Sequence, residues 1–232
     1  MAEPAFIDRG TLSRQVYSRL REQILRGEIG QGEHLSEMGI SADLGVSATP
    51  VREALRLLHG DGLVEISGRR GAKVIAPTQD EIRHCFEVRR VLERLALREA
   101  CANFKDDDRS HLVELAERAV EGGERTPQSL VDVDRAFHGF ILQKTGNTWL
   151  VTFLDTLSDF LLVVRQPLFK TANSFNAKNT QLEHLAIAKA AYAGRVDEAE
   201  RLLDAHIERV CNDVLRSKEQ HVLAAAGTPR VG

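Results

Sequence analysis

Two sets of residues in this 232-residue chain could do chemistry: four candidate metal donors in its second half, and a group of arginines and hydroxyls in its first. Asp134 and His138 stand four residues apart, beside the apolar stripe Leu130, Val133, Phe137 and Ile141. On a helix both side chains therefore point at one spot. His206 sits inside a continuous stripe of Ala199, Leu202, Leu203, Ile207, Val210 and Val214, and His184, in Gln181-Leu182-Glu183-His184-Leu185-Ala186-Ile187, has a similar half-buried setting. Any one of these histidines alone reads as a hydrogen-bonded core residue. Together, three imidazoles and a carboxylate buried without partners would cost several kcal/mol in desolvation, and one shared divalent cation would satisfy all four.

The first half offers a different chemistry. A helix opening at Ser47 presents free backbone N–H groups and its positive dipole end to an anion, with the hydroxyls of Ser47 and Thr49 as extra donors. Arg52 and Arg56 lie four residues apart on the face away from Val51, Leu55 and Leu58, so they can enter a major groove, with Arg52 the first choice for base contact. Ser67-Gly68-Arg69-Arg70-Gly71 puts two guanidiniums at the tip of a turn whose glycines permit close backbone approach, which suits phosphate or minor-groove contact. The plain alternatives are a solvated helix face and an ordinary charged turn.

These residues need elements to position them. Leu12, Val16, Leu20, Ile24 and Leu25 recur at helical spacing over residues 11–27, with Thr11 or Ser13 as N-cap candidates and Gly27 as a stop. Ser36 opens a short helix that ends at Gly45, and Ser47 is expected to cap a second with Pro50 in its first turn, the outline of a helix-turn-helix. Leu63-Val64-Glu65-Ile66 and Ala72-Lys73-Val74-Ile75 then read as a hairpin, the wing. Beyond Gln79 the pattern predicts helices alone, at about 79–104, 106–122, 127–145, 147–168, 175–193 and 195–219.

Composition narrows the class. A net charge of −3 gives no basic footprint, and residues 1–77 balance ten Lys/Arg against ten Asp/Glu, so any positive surface must come from where the arginines sit. Cys85, Cys101 and Cys211 are odd in number and lack metal-ligand spacing, which reads as buried free thiols in a reducing compartment. No apolar run reaches the roughly 18 residues of a membrane span, and the N-terminal residues lack a secretory pattern, so the expectation is a soluble cytoplasmic protein without membrane contact.

Leu35-Ser36-Glu37, Leu44-Gly45-Val46-Ser47, Thr49-Pro50-Val51-Arg52-Glu53-Ala54-Leu55 and Asp61-Gly62-Leu63-Val64 together resemble the N-terminal domain of the GntR family of bacterial regulators. One position departs: where that family commonly carries Arg after the Ser of the turn, this chain has Ala48, which shifts weight onto Arg52 and the wing. Asp134, His138, His184 and His206 match the Asp-x-x-Phe-His, Glu-His and late-helix His elements of the FCD domain that follows the winged helix in many members. Glu87-Val88-Arg89-Arg90-Val91-Leu92-Glu93 resembles the opening of that domain.

The resemblance implies a mainly α fold, with a winged helix-turn-helix over residues 1–77, an all-α FCD-type helical bundle over 78–223 and a tail over 224–232. It implies one divalent metal on Asp134, His138, His184 and His206, facing a cavity for a small carboxylate effector, with Arg89 as a partner for that carboxylate or else in a surface salt bridge. An imidazole-rich N3O set suits zinc, nickel, iron or manganese better than calcium. Six predicted helices point to the shorter, VanR-like branch of the FadR/FCD subfamily.

The functional expectation is a homodimeric, ligand-responsive regulator, a repressor by the commoner family mode, binding a palindromic operator in double-stranded DNA through Ser47, Thr49, Arg52, Arg56, Arg69, Arg70 and Gly71. The competing reading is a metal-dependent hydrolase fused to a DNA-binding module. Against it, the adjacent His-Asp pair of helical phosphohydrolases is absent, and no carboxylate stands as general base for metal-bound water. A third reading makes the metal site purely structural, with the effector sensed on another face.

Overall fold

The computed structural model describes residues 9–66, 71–122, 126–170 and 177–226, and it divides into two compact units. The first holds residues up to Ala76 together with Asp159–Gln166; the second holds Pro77–Ser158 and the residues from Pro167 onward.

In the first unit, α1 (Arg9–Leu25) packs on α3 (Ala48–Gly60), with β1 (His34–Leu35) and α2 (Glu37–Leu44) between them in sequence and β2 (Val64–Ile66) and β3 (Ala72–Val74) after them. Apolar residues at helical spacing explain the packing: Val16, Leu20 and Ile24 of α1 are buried against Val51, Ala54, Leu55 and Leu58 of α3, and Leu63, Val64, Ala72 and Val74 close the same core. Helix α1 starts earlier than its sequence caps suggest. Ser13, inside the helix, is buried and donates its hydroxyl to Glu53.

Ser36 caps α2, accepting from the Gly39 amide, and Gly45 ends it in the left-handed region at φ 65°. The three strands form an antiparallel sheet in the order β1-β3-β2, with Leu35 opposite Ala72 and Val64 opposite Val74. The hairpin is as expected; β1 is new, because two residues are too short to show a period.

The second unit contains α4 (Gln79–Asn103), α5 (Asp106–Glu121), α6 (Pro127–Gln143), α7 (Thr148–Lys170, whose middle belongs to the first unit), α8 (Ala177–Tyr192) and α9 (Val196–Ala226). Thr78 and Glu81 form a reciprocal capping box that starts α4. Helix α9 packs on both α4 and α8, α5 lies against α8, and α6 meets both α4 and α5. Their facing stripes, Ile82, Phe86 and Leu97 of α4, Phe137 and Ile141 of α6, Ile187 of α8 and Leu203, Ile207 and Val210 of α9, make the core. Glu200 of α9 is buried yet satisfied, since Arg94 and Arg98 of α4 both donate to it. Among the described residues no helix is long and apolar enough to cross a membrane.

Candidate metal centre and nucleic-acid interface

Three helices of the second unit bring the four sequence-picked donors together. Asp134 and His138 come from α6, His184 from α8 and His206 from α9, and one ligand atom from each lies within 4.8 Å of all the others. His184 Nε2 is 3.3 Å from His206 Nε2 and 3.7 Å from Asp134 Oδ1, and His138 Nε2 is 3.6 Å from the same oxygen. The periodicity explains the convergence: each helix turns its apolar stripe inward, and the polar residue within that stripe is carried to the shared centre. Phe137 closes one side, its ring stacked on His184 at 4.3 Å between centroids.

Around this cluster stand Glu183, Arg209 and Glu93, to which the sequence alone assigns no role, and Arg89, to which it does. His206 Nδ1 lies 2.7 Å from Glu183 Oε2, and Arg209 donates to that carboxylate through Nε at 2.5 Å and Nη2 at 2.7 Å. His138 Nδ1 lies 2.7 Å from Glu93 Oε2, and Glu93 is paired with Arg89 on the same helix. A carboxylate at Nδ1 assigns the proton there and leaves the Nε2 lone pair for the centre, an arrangement common behind metal-binding histidines. The signals were present in sequence: Glu183 adjoins His184, Arg209 follows His206 by three, and Arg89 and Glu93 interrupt an α4 stripe of Ile82, Phe86, Ala96 and Leu97.

The electrostatics favour the neutral form of His184 and His206. Burial holds His184 well below its ordinary value, with His206 and His138 adding to the effect against Asp134. Burial likewise depresses His206 to about 4, although its bond to Glu183 opposes the shift. Burial pushes Glu93 up, but the Arg89 guanidinium and His138 outweigh it and hold the carboxyl ionised. His138 Nε2 is buried with no hydrogen-bond partner. Neutral imidazoles at His184 and His206, the unpartnered Nε2 of His138 and the Asp134 carboxylate fit a first-row divalent cation.

Arg89 is not the surface residue that one reading allowed. It is buried, its ion pair with Glu93 is internal, and its Nη1 has no hydrogen-bond partner. Glu93 and Asp134 both favour its charge against burial, which puts the guanidinium within electrostatic reach of the cluster.

In the first unit, Ser47 stands at the N-cap of α3 with no side-chain capping bond, and Ser47, Thr49, Arg52 and Arg56 are all exposed while Val51, Leu55 and Leu58 are buried. Arg52 pairs with Glu37 of α2 at 2.9 Å. Gly71 opens β3 at φ 103°, and a Cβ there would fall inside the van der Waals shell of the Leu35 carbonyl oxygen, so this glycine is needed by the β1–β3 pairing itself. Arg69 and Arg70 lie outside the described residues.

Comparison with known proteins agrees with both halves. Residues 12–74 match the bacterial regulatory proteins of the gntR family, and residues 84–209 match the FCD domain. The chain is 29% identical over 205 residues to the HTH-type transcriptional regulator BphR of Paraburkholderia xenovorans (strain LB400), covering 85% of this chain and 83% of that one. It is 29% identical over 222 residues to the HTH-type transcriptional repressor NanR of Klebsiella aerogenes, covering 87% and 85%. A solved GntR transcriptional regulator from Rhodococcus sp. RHA1 superposes with a TM-score of 0.70 at 25% identity over 88% of this chain and 97% of that one. E. coli McbR/YncC shares the fold at a TM-score of 0.75 and 21% identity, with the same coverage. These relatives are regulators and not enzymes, and the hydrolase alternative finds no support in them. The chain belongs to the gntR family of bacterial regulatory proteins: it is a ligand-responsive, DNA-binding transcriptional regulator with a gntR module followed by an FCD domain.

Proposed function

We propose that this regulator is a cytoplasmic homodimeric repressor of the shorter, VanR-like FCD branch, released from a palindromic operator by a small carboxylate metabolite at a divalent metal. The observation that carries the reading is the convergence of donor atoms from Asp134, His138, His184 and His206, two of the histidines oriented by Glu93 and Glu183. The ion is zinc, nickel, iron or manganese, and when bound it supplies open Lewis-acid positions for a carboxylate. The unpartnered Nη1 of Arg89 supports a second contact to the same carboxylate.

Ser47, Thr49, Arg52 and Arg56 of α3 meet the duplex, joined by Arg69, Arg70 and Gly71 of the wing. Repression accords with the name of the NanR relatives, and the six helices α4–α9 support the shorter branch. Association of two copies is supported by an apolar surface on the second unit. Leu92 and Ala96 of α4, Leu142 of α6 and Leu150 and Leu154 of α7 form one apolar cluster, and on the same two helices α4 and α7 Val88, Val91, Leu95, Trp149 and Phe153 are exposed. A dimer would present two α3 helices to half-sites one or more helical turns apart, and an effector that prefers the mismatched spacing lowers affinity.

The test combines elemental analysis of protein purified without chelators with thermal shifts against sugar acids, hydroxy acids and aromatic carboxylates. A carboxylate that stabilises the protein only when metal is present, and that releases operator DNA, is the expected result. Metal-free protein whose thermal stability is unchanged by His206→Ala would remove the metal site from the scheme.

A further inference from the structure

Arg52 does not stand alone on the exposed face of α3. Its Nη2 donates to Glu37 Oε2 at 2.9 Å, and its Nε donates to the same oxygen at 3.2 Å and to Oε1 at 3.4 Å, so one carboxylate fills the side edge of the guanidinium. Glu37 is itself fixed. It is the first residue of α2, directly after the Ser36 cap, where the helix dipole favours negative charge, and its side chain is only 23% exposed. Arg56, one turn further along α3, has no such partner among the described residues. An ion pair as exposed as Arg52–Glu37 adds little to stability, so holding the fold together does not account for it.

Guanidinium geometry gives the pair another use. The group carries five N–H donors in a rigid planar fork. Glu37 engages the hydrogens of Nε and the near side of Nη2. The end edge, one hydrogen from each of Nη1 and Nη2, stays in the same plane, and two parallel donors of this kind span O6 and N7 of guanine.

We propose that Glu37 is a positioning residue for operator reading: it holds the Arg52 guanidinium so that its free edge meets a guanine in the major groove. Its charge also offsets the pull Arg52 would otherwise exert on any phosphate. The pair thereby exchanges sequence-independent attraction for discrimination. This rests on Arg52 being a base-reading residue, as set out above.

The test uses the full chain and an operator selected by the wild-type protein from a random duplex pool. Wild type, Glu37→Gln, Glu37→Ala and Arg52→Ala are each titrated with the operator, with operators substituted one base pair at a time, and with random duplex over a range of salt. In both Glu37 variants the operator-to-random ratio should fall about tenfold, within what one bidentate base contact supplies. The loss should centre on the base pair whose substitution Arg52→Ala no longer senses. Random-duplex affinity should hold or rise, with a salt slope steeper by about one charge. Variants that keep the wild-type ratio and substitution profile overturn the proposal, leaving a plain surface ion pair. A uniform fall on operator and random duplex alike also overturns it, since that marks a disturbed α2. Wild-type protein that selects no sequence is a separate outcome, visible before any variant is made, and removes the DNA reading on which the proposal stands.

Discussion

His206 and Glu183 are joined by a 2.7 Å contact from Nδ1 to Oε2, and Arg209 donates to both oxygens of that carboxylate while also donating to Thr180 and Asp213. The imidazole is thus fixed in both ring angle and tautomer before any ligand arrives. A loose histidine would lose that orientation and bind metal more weakly.

Glu183→Gln should therefore weaken metal binding by about 10- to 100-fold, the usual effect of removing an outer partner of a metal-binding histidine. Competition against a chromophoric chelator measures it. Unchanged affinity would show that Glu183 serves only Arg209.

Gly71→Ala should destabilise the first unit. At φ 103° an L residue is strained, and the added methyl meets the Leu35 carbonyl where β1 pairs with β3. A cost of about 1–3 kcal/mol is expected for such a conformation. Calorimetry should resolve a lower melting transition and weaker DNA binding; an unshifted transition would mean the strand pair relaxes without loss.

Tyr17 gives a pH signature. Its hydroxyl donates to Asp61 Oδ2 at 2.5 Å, and burial first, then that bond, pushes the phenol from 10.0 up to about 12. The folded state holds this proton more tightly than the open chain does. The contribution to stability is therefore whole below pH 10 and is lost as pH rises through about 12. Denaturation midpoints should fall more steeply across that window in wild type than in Tyr17→Phe, and identical slopes would uncouple the bond from folding.

On the proposed dimer, Val91→Glu should give a monomer in sedimentation and lower operator affinity, because it adds a charge to the exposed apolar set that includes Leu95, Trp149 and Phe153. A dimer that persists at micromolar concentration would move the interface elsewhere.

Much of this was legible in the chain. Ser36 and Gly45 bound a helix by capping chemistry that acts locally, Ser47 takes the N-cap position of the next helix without a side-chain capping bond, and the stripes of α6, α8 and α9 name the faces that go inward. A polar residue within such a stripe is visible from sequence because helical spacing alone puts it there. That is how Asp134, His138, His184 and His206 could be picked as one set.

Other features had no local signal. Strand β1 is two residues long and exists only because β3 lies beside it. Asp159–Gln166 sits in a helix whose pattern differs in no way that would assign it to the first unit, yet its Val163 is buried in that unit's core. The pairing of Arg52 with Glu37 crosses fifteen positions, and that of Glu183 with Arg209 crosses twenty-six. Spacing along one helix determines which residues share a face. Which faces meet, and so which carboxylate finds which cation or imidazole, is decided only when the helices pack, because the energy of a charge pair depends on a distance that the sequence does not contain.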